Sequence, residues 1–337
     1  MYDKDRQRAP DLTDALSQRL MKSDPSTALP EPHILDYDWR YTAQTVLDLS
    51  ALVRPSDTVL AVGTPSLARH LEALGRDVTL VDRQPFQAVR NHLQIEAGIP
   101  KPNFQRRSFA IVDPPWYPAD AKLWIAWTAH RVMPRERILV SLWPDITRPA
   151  AANEFEDVTS WIREWADIES VDIVPRYEIP LFERAALCAC ESQSNALSPG
   201  YARLLCLRAR HLPSILEHCD PQKTWVRFVV NDYQLAVCLN ENSTGQTPVS
   251  QHPLAKGWVW PYVSKRAPQQ DQINLWSSRN EVAILRHPHL AAEALRKAFK
   301  AADPETFKVQ LGPYIKLREL YVPHPPYRRL LEWRHLQ

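Results

Sequence analysis

The chain has 337 residues, 45% of them hydrophobic, which is enough to bury more than one packed core. A net charge of +2 with 24% charged residues excludes a basic surface over the whole protein, so any nucleic-acid contact must be local. Apolar runs are broken by charge well short of bilayer-spanning length, and the mixed-charge start Met1–Arg8 is followed by no apolar signal-peptide core.

Five cysteines at scattered spacings fit reduced thiols, so a cytoplasmic location and no membrane are expected. Cys188-Ala-Cys190, with Cys206 and Cys219 beyond, lacks zinc-site spacing, so buried thiols and no metal are expected. Seven glycines against 30 prolines imply stiff loops with few positive-φ positions.

Residues 1–34 read as an N-terminal arm. Leu12, Leu16 and Leu20 share one face of a helix over 11–22, and a proline-broken tether follows Ser23. The aromatic stretch Asp36–Thr42, holding Tyr37, Trp39, Arg40 and Tyr41, precedes a helical run from Ala43 to Leu52. Asp57–Val62 is a strand, Gly63 its turn, and Thr64-Pro65-Ser66 a helix start continued by Leu67, His70, Leu71 and Leu74. Gly75–Asp82 is a second strand ending in a carboxylate. A glycine turn with an acidic strand end about twenty residues later is the nucleoside-binding arrangement of Rossmann-like folds. Gln84–Ala97 is expected to be helical.

Ala110-Ile-Val-Asp113-Pro114-Pro115-Trp116-Tyr117 organises the rest. Val and Ile suit a central strand, and neither proline can donate to a ladder, so the strand ends at Asp113. Ligands of open α/β sheets bind beyond the carboxyl ends of strands, where these residues would lie. Asp113 and a carbonyl of the stiff Pro-Pro pair could accept the N–H groups of an exocyclic amine, while Trp116 or Tyr117 stacks on a base. The plain alternative is a Pro-Pro turn with Asp113 capping the next helix.

Asp113–Trp116 resembles the (D/N)PP(Y/F/W) motif of S-adenosylmethionine-dependent amino-methyltransferases, the group that includes N6-adenine methyltransferases. Its DPPW form resembles that of the enzymes making N6-methyladenosine in messenger RNA, and the resemblance covers about residues 35–211. It implies S-adenosylmethionine as cofactor, with Asp113, Pro114, Pro115 and Trp116 at the catalytic centre and Tyr117 on the substrate. It also implies Arg40 on the methionine carboxylate, Gly63 and Thr64 at the methionine end, and Asp82 on the ribose. The chain departs from the pattern in keeping one glycine after its first strand and in having Ala61 where an acid is usual. No acid stands at 103–108 either, so Gln105 or Ser108 would have to meet the adenine, while Arg106 and Arg107 read as a solvated or phosphate-facing pair.

Further along, Ala119–Arg131 reads as a helix, Arg137–Trp143 as a strand and Glu154–Trp165 as a helix. Val171–Val174 is a strand, Phe182–Glu191 a helix and Tyr201–Arg208 a last strand, antiparallel by the resemblance. This alternation argues an α/β, Rossmann-like domain over 35–212, its mostly parallel sheet covered by helices on both faces. Residues 213–337 read as a smaller C-terminal α+β domain. It has a hairpin about Asn231-Asp232, aromatic strands at Gly257–Tyr262 and Asn274–Trp276, and a helix at Ala291–Ala301. From Arg296 onward nine Lys and Arg face four acids, about +5, with Tyr314, Tyr321, Tyr327 and Trp333 interleaved. That basic-aromatic tail suits nucleic acid or a protein partner.

The leading expectation is therefore an N-methyltransferase with adenine N6 of nucleic acid as its first-choice acceptor. Two alternatives stay open. One is a protein lysine, or a polyamine taking an aminopropyl group, as acceptor. The other is a methyltransferase-like scaffold without turnover that binds a partner or nucleic acid.

Overall fold

The computed structural model describes residues 29–36, 39–84, 86, 88–95, 97, 105–147, 150–180, 200–214, 225–230, 233–239, 273–278, 282–285 and 287–298. The expected helices over 11–22 and 182–191, the strand at 257–262, Cys188, Cys190 and Cys219, and the tail beyond 298 lie outside these.

Among the described residues two sheets form. The larger holds β1 (Thr58–Val62), β2 (Asp77–Asp82), β3 (His92–Gln94), β4 (Arg107–Val112), β5 (Val132–Leu142), β6 (Ala166–Ser170) and β7 (Arg203–Ala209), in the order β3-β2-β1-β4-β5-β7-β6. The first five pair parallel, and β7 runs antiparallel to both β5 and β6. This is a Rossmann-like α/β sheet with the antiparallel last strand that the resemblance implied.

Alternation along each strand feeds a core on either face. From β4, Ala110 and Val112 pack with Ile125, Trp127, Ile162 and Trp165 of α3 (Pro118–Ala129) and α4 (Ala151–Trp165). Phe109 and Ile111 point the other way, onto Leu49, Leu67 and Leu71 of α1 (Ala43–Ala51) and α2 (Pro65–Ala73). Burial on both faces explains why these strands read as unbroken apolar runs.

Four expectations are corrected. Gln84–Ala97 is not a helix: it carries the short strand β3, paired Leu80↔His92 to Asp82↔Gln94 on β2. The two ring nitrogens of His92 lie 3.1 and 3.0 Å from the Phe86 and Asp82 carbonyls, pinning the segment extended. The strand expected at Val171–Val174 sits five residues earlier as β6, directly after α4. Ser108 lies at the start of β4, its Oγ accepting from Thr58 N at 2.9 Å, with Gln105 just before it. Both are thus at the sheet end opposite Asp113 and cannot meet a ring held there. Arg107 is not phosphate-facing but reaches from β4 past β1 to β2, where it meets both Asp77 oxygens and Thr79.

The smaller sheet is antiparallel, ordered β11 (Val282–Ala283), β10 (Leu275–Ser277), β9 (Tyr233–Cys238), β8 (Trp225–Val230). Strands β8 and β9 are the expected hairpin, and α5 (Pro288–Ala298) packs Ala291, Ala292 and Leu295 on Phe228, Leu235, Val237 and Leu275. Cys206 and Cys238 are buried thiols outside any disulfide, as expected.

A buried polar network joins this sheet to the larger domain. Gln234 Nε2 donates to the Glu31 carbonyl and, at 2.7 Å, to Gln84 Oε1, and Ser278 Oγ donates to the Glu31 carboxylate at 2.6 Å. His33 Nε2 lies 3.1 Å from the Trp276 carbonyl. Truncating Gln234 strands buried acceptors at Glu31 and Gln84, so Gln234→Ala should cost about 2–4 kcal/mol. Chemical unfolding checks this, and an unchanged midpoint would mean the network does not hold the two sheets together.

Candidate cofactor and acceptor cleft

The strand order reverses between β1 and β4, and the two chain segments that leave there stay in contact. Gly63 follows β1 with φ +66 and donates to the Val81 carbonyl at 3.0 Å, while Asp113 N donates to the Val62 carbonyl at 3.0 Å. A Cβ on Gly63 would stand 2.9 Å from the Asp113 carbonyl oxygen and 2.8 Å from Trp124, so only glycine fits this crossing. Thr64 then caps α2 with Pro65 at its first turn. Thr64 is 2% exposed and its Oγ1 has no partner, an orphaned hydroxyl at a helix N-terminus.

One cleft, of about 150 Å³, is lined by Gly63, Thr64, Pro65, Ser66 and Asp113 together with Trp39, Arg40 and Tyr41. Of the expected cofactor residues, Arg40, Gly63 and Thr64 are thus brought together with Asp113. The Arg40 guanidinium also sits 5.7 Å over the Phe86 ring. Burial first, and the Arg40 charge second, lower the pKa of Arg69 on α2, so two guanidiniums lie near this helix start.

Asp82 ends β2 as expected but lies outside that lining. It is 8% exposed, and its Oδ1 accepts the Gln84 N–H at 2.9 Å. Pro114 and Pro115 are buried. Trp116 is half-buried, packed against both cores and edge-on to Tyr177 at 5.6 Å. Tyr117 caps α3.

Two residues that sequence reasoning passed over, Tyr177 and Ser141, complete the site together with Tyr41. Tyr177 donates its hydroxyl to Asp113 Oδ1 at 2.9 Å, and Tyr41 and Ser141 share a hydrogen bond of 2.6 Å. Tyr41 and Tyr177 form an isolated antiparallel bridge, with Thr42 N donating to the Arg176 carbonyl and Glu178 N to the Arg40 carbonyl. The strap 39–42 is thereby tied across the carboxyl ends of the strands. Burial first, then the negative charge of Asp113, push both phenols well above their ordinary 10.0, so Tyr177 is a proton donor at neutral pH. The signal that could have found this group was Ser141, a lone hydroxyl interrupting the apolar run Ile138–Trp143.

No family model and no curated protein matches the chain. Among solved structures, a mutein of the branched-chain polyamine synthase from Thermus thermophilus, with N4-aminopropylspermidine and 5'-methylthioadenosine, aligns at TM-score 0.48 and 15% identity over 61% of this chain and 67% of that one. NSun6 from Pyrococcus horikoshii aligns at 0.34 and 13%, over 50% and 52%. The T. thermophilus 16S rRNA N2 G1207 methyltransferase aligns at 0.32 and 10%, over 61% and 49%. At such scores these likenesses carry no functional argument, and the strand order carries the fold. Among the described residues no helix is long and apolar enough to cross a membrane, and no group of His, Cys, Asp and Glu is arranged for a metal.

Proposed function

We propose that this chain is an S-adenosylmethionine-dependent methyltransferase acting on an amino nitrogen, with adenine N6 of a nucleic acid as acceptor. One observation carries the reading: the lone positive-φ glycine after β1 and the Asp113 motif after β4 open on a single cleft at the point where the sheet order reverses. The residue types suit the cofactor at its methionine end, where an orphaned Thr64 hydroxyl, Arg40 and the α2 N-terminus would hold a carboxylate. Asp82 would take the ribose hydroxyls. The Asp113 carboxylate and the Pro114 carbonyl would accept the N–H groups of the amine, Pro115 would keep that carbonyl still, and Trp116 and Tyr117 would bound the base.

When bound, the cofactor supplies a methyl group on a sulfonium, and the protein's part is alignment of the amine with it. The adenine assignment is the finest step and is supported by the DPPW resemblance and the basic-aromatic tail.

A second reading, a scaffold without turnover, is favoured by the narrowness of the cleft. Drug-sized ligands occupy pockets of roughly 300–1,000 Å³. The cleft as it stands has almost no interior room, and it would have to open by movement of the strap 39–42 before a nucleoside fits. Calorimetry separates the two: S-adenosylmethionine should bind the wild-type chain with measurable heat, and silence at millimolar ligand would leave the scaffold. Transfer of labelled methyl to DNA, RNA, protein and polyamine pools then identifies the acceptor, with nucleic acid the expected carrier of label.

A further inference from the structure

Among the described residues Asp113 is the only acid on the cleft lining, and its carboxylate already has a donor in Tyr177. That donor is not free to leave. Tyr177 is 1% exposed, with Tyr41 at 5.1 Å and Trp39 and Trp116 edge-on at 6.4 and 5.6 Å. Its backbone is held on both sides: Tyr177 N donates to Gly200 O at 2.8 Å, Arg176 N to Thr45 Oγ1 at 2.8 Å and Glu178 N to Arg40 O at 2.8 Å. A phenol fixed this firmly fixes what it binds.

We propose that Tyr177 is a positioning residue, whose hydroxyl locks the Asp113 carboxylate so that its other oxygen and the Pro114 carbonyl face the acceptor nitrogen. A carboxylate alone rotates about its last torsion and can turn either oxygen toward the cleft. With Oδ1 bound to a donor 64 residues away, one orientation is set before any ligand arrives. Tyr41 and Ser141 buttress the arrangement, since the Tyr41 ring backs Tyr177 while its hydroxyl is tied to β5. A hydrogen bond donated to the charged carboxylate favours that form over the protonated one. The titratable groups facing Asp113 are Tyr177, Tyr41 and, along the same cleft, Arg40. This role rests on the proposed transfer reaction, but the lock itself does not.

Tyr177→Phe in the full chain is the test, since it keeps the ring and removes only the donor. Two readouts are taken. First, the side-chain carboxyl carbon of Asp113 is followed by NMR against pH, its signal assigned by its loss in Asp113→Asn. In Tyr177→Phe it should titrate at higher pH than in the wild type, and an unmoved midpoint overturns the lock. Second, kcat for methyl transfer should fall about 10- to 100-fold, while KM for S-adenosylmethionine stays within about twofold. A loss confined to KM overturns the positioning role. If Tyr177→Phe does not fold, 3-fluorotyrosine at position 177 replaces it. A stronger donor should then lower the Asp113 midpoint, and a raised or unchanged one overturns the lock. If wild type labels no pool while the carboxyl midpoint still shifts, the lock stands and the transfer reading fails.

Discussion

Asp113→Asn should reduce kcat for methyl transfer by at least about a hundredfold while leaving S-adenosylmethionine affinity within about threefold. The amide is chosen over alanine because its oxygen can still accept the Tyr177 hydroxyl, which would otherwise be buried and unpaired. What the variant loses is the negative charge and one acceptor at the place where an amine must be held. Cofactor contacts are proposed at Arg40, Thr64 and Asp82, and the substitution alters none of these side chains. Labelled-methyl transfer and calorimetry on the same preparation check both halves. Normal transfer by this variant would remove Asp113 from the reaction, and loss of cofactor binding alone would make it a wall of the cofactor site.

Gly63→Ala should be the most disruptive small substitution in the site. The added methyl meets the Asp113 carbonyl at 2.9 Å and Trp124 at 2.8 Å, and φ +66 is a region that alanine enters at a cost of about 1–2 kcal/mol. Clash with backbone adds to this, because the carbonyl belongs to a segment clamped to Val62. Together these come to about 3 kcal/mol, or roughly a 6–12 °C fall in Tm for a domain of this size. By contrast Gly75→Ala has φ +73 but nothing within 4 Å, so it isolates the conformational part. Thermal unfolding of the pair measures the difference, and equal melting temperatures would show that the β1 and β4 turns do not press on each other.

Much of the fold was legible because the strands of the larger sheet carry their own signals. Thr58–Val62, Asp77–Asp82 and Arg107–Val112 are apolar runs bounded by turn residues, and burial on both faces makes such runs long and unmistakable. The hairpin of β8 and β9 was equally plain from its turn. β3 was hidden because three residues, His92-Leu-Gln94, have no period to detect, and they are extended only through pairing with β2 and the carbonyls around His92. The position of Ser108 was misjudged for a related reason: sequence shows that a residue is near a strand, but not which end of the sheet that strand end occupies.

The site was legible where it is local and silent where it is not. Gly63, Thr64 and the Asp113 motif announce themselves because turn chemistry needs those residues in order. Tyr177 lies 64 residues from Asp113 in sequence and Tyr41 lies 100 from Ser141, so nothing short-range links them. Asp82 shows the converse. Its place at the end of β2 followed from sequence, while its hydrogen bond to Gln84, and the packing of Gln84 on Gln234 of the second sheet, could be found only in three dimensions.

The strap that ties Tyr41 to Tyr177 has a kinetic consequence. Under the proposed function, a nucleoside would have to wait for two main-chain hydrogen bonds and a ring contact to part, and capture would be gated by how often the strap lifts rather than by diffusion. The measured dissociation constant then exceeds the intrinsic one by the inverse of the open fraction, and the same latch slows departure once it has shut. Under the proposed function, exchange of the spent nucleoside for a fresh one, rather than the transfer of a methyl, would be the slow step of the cycle.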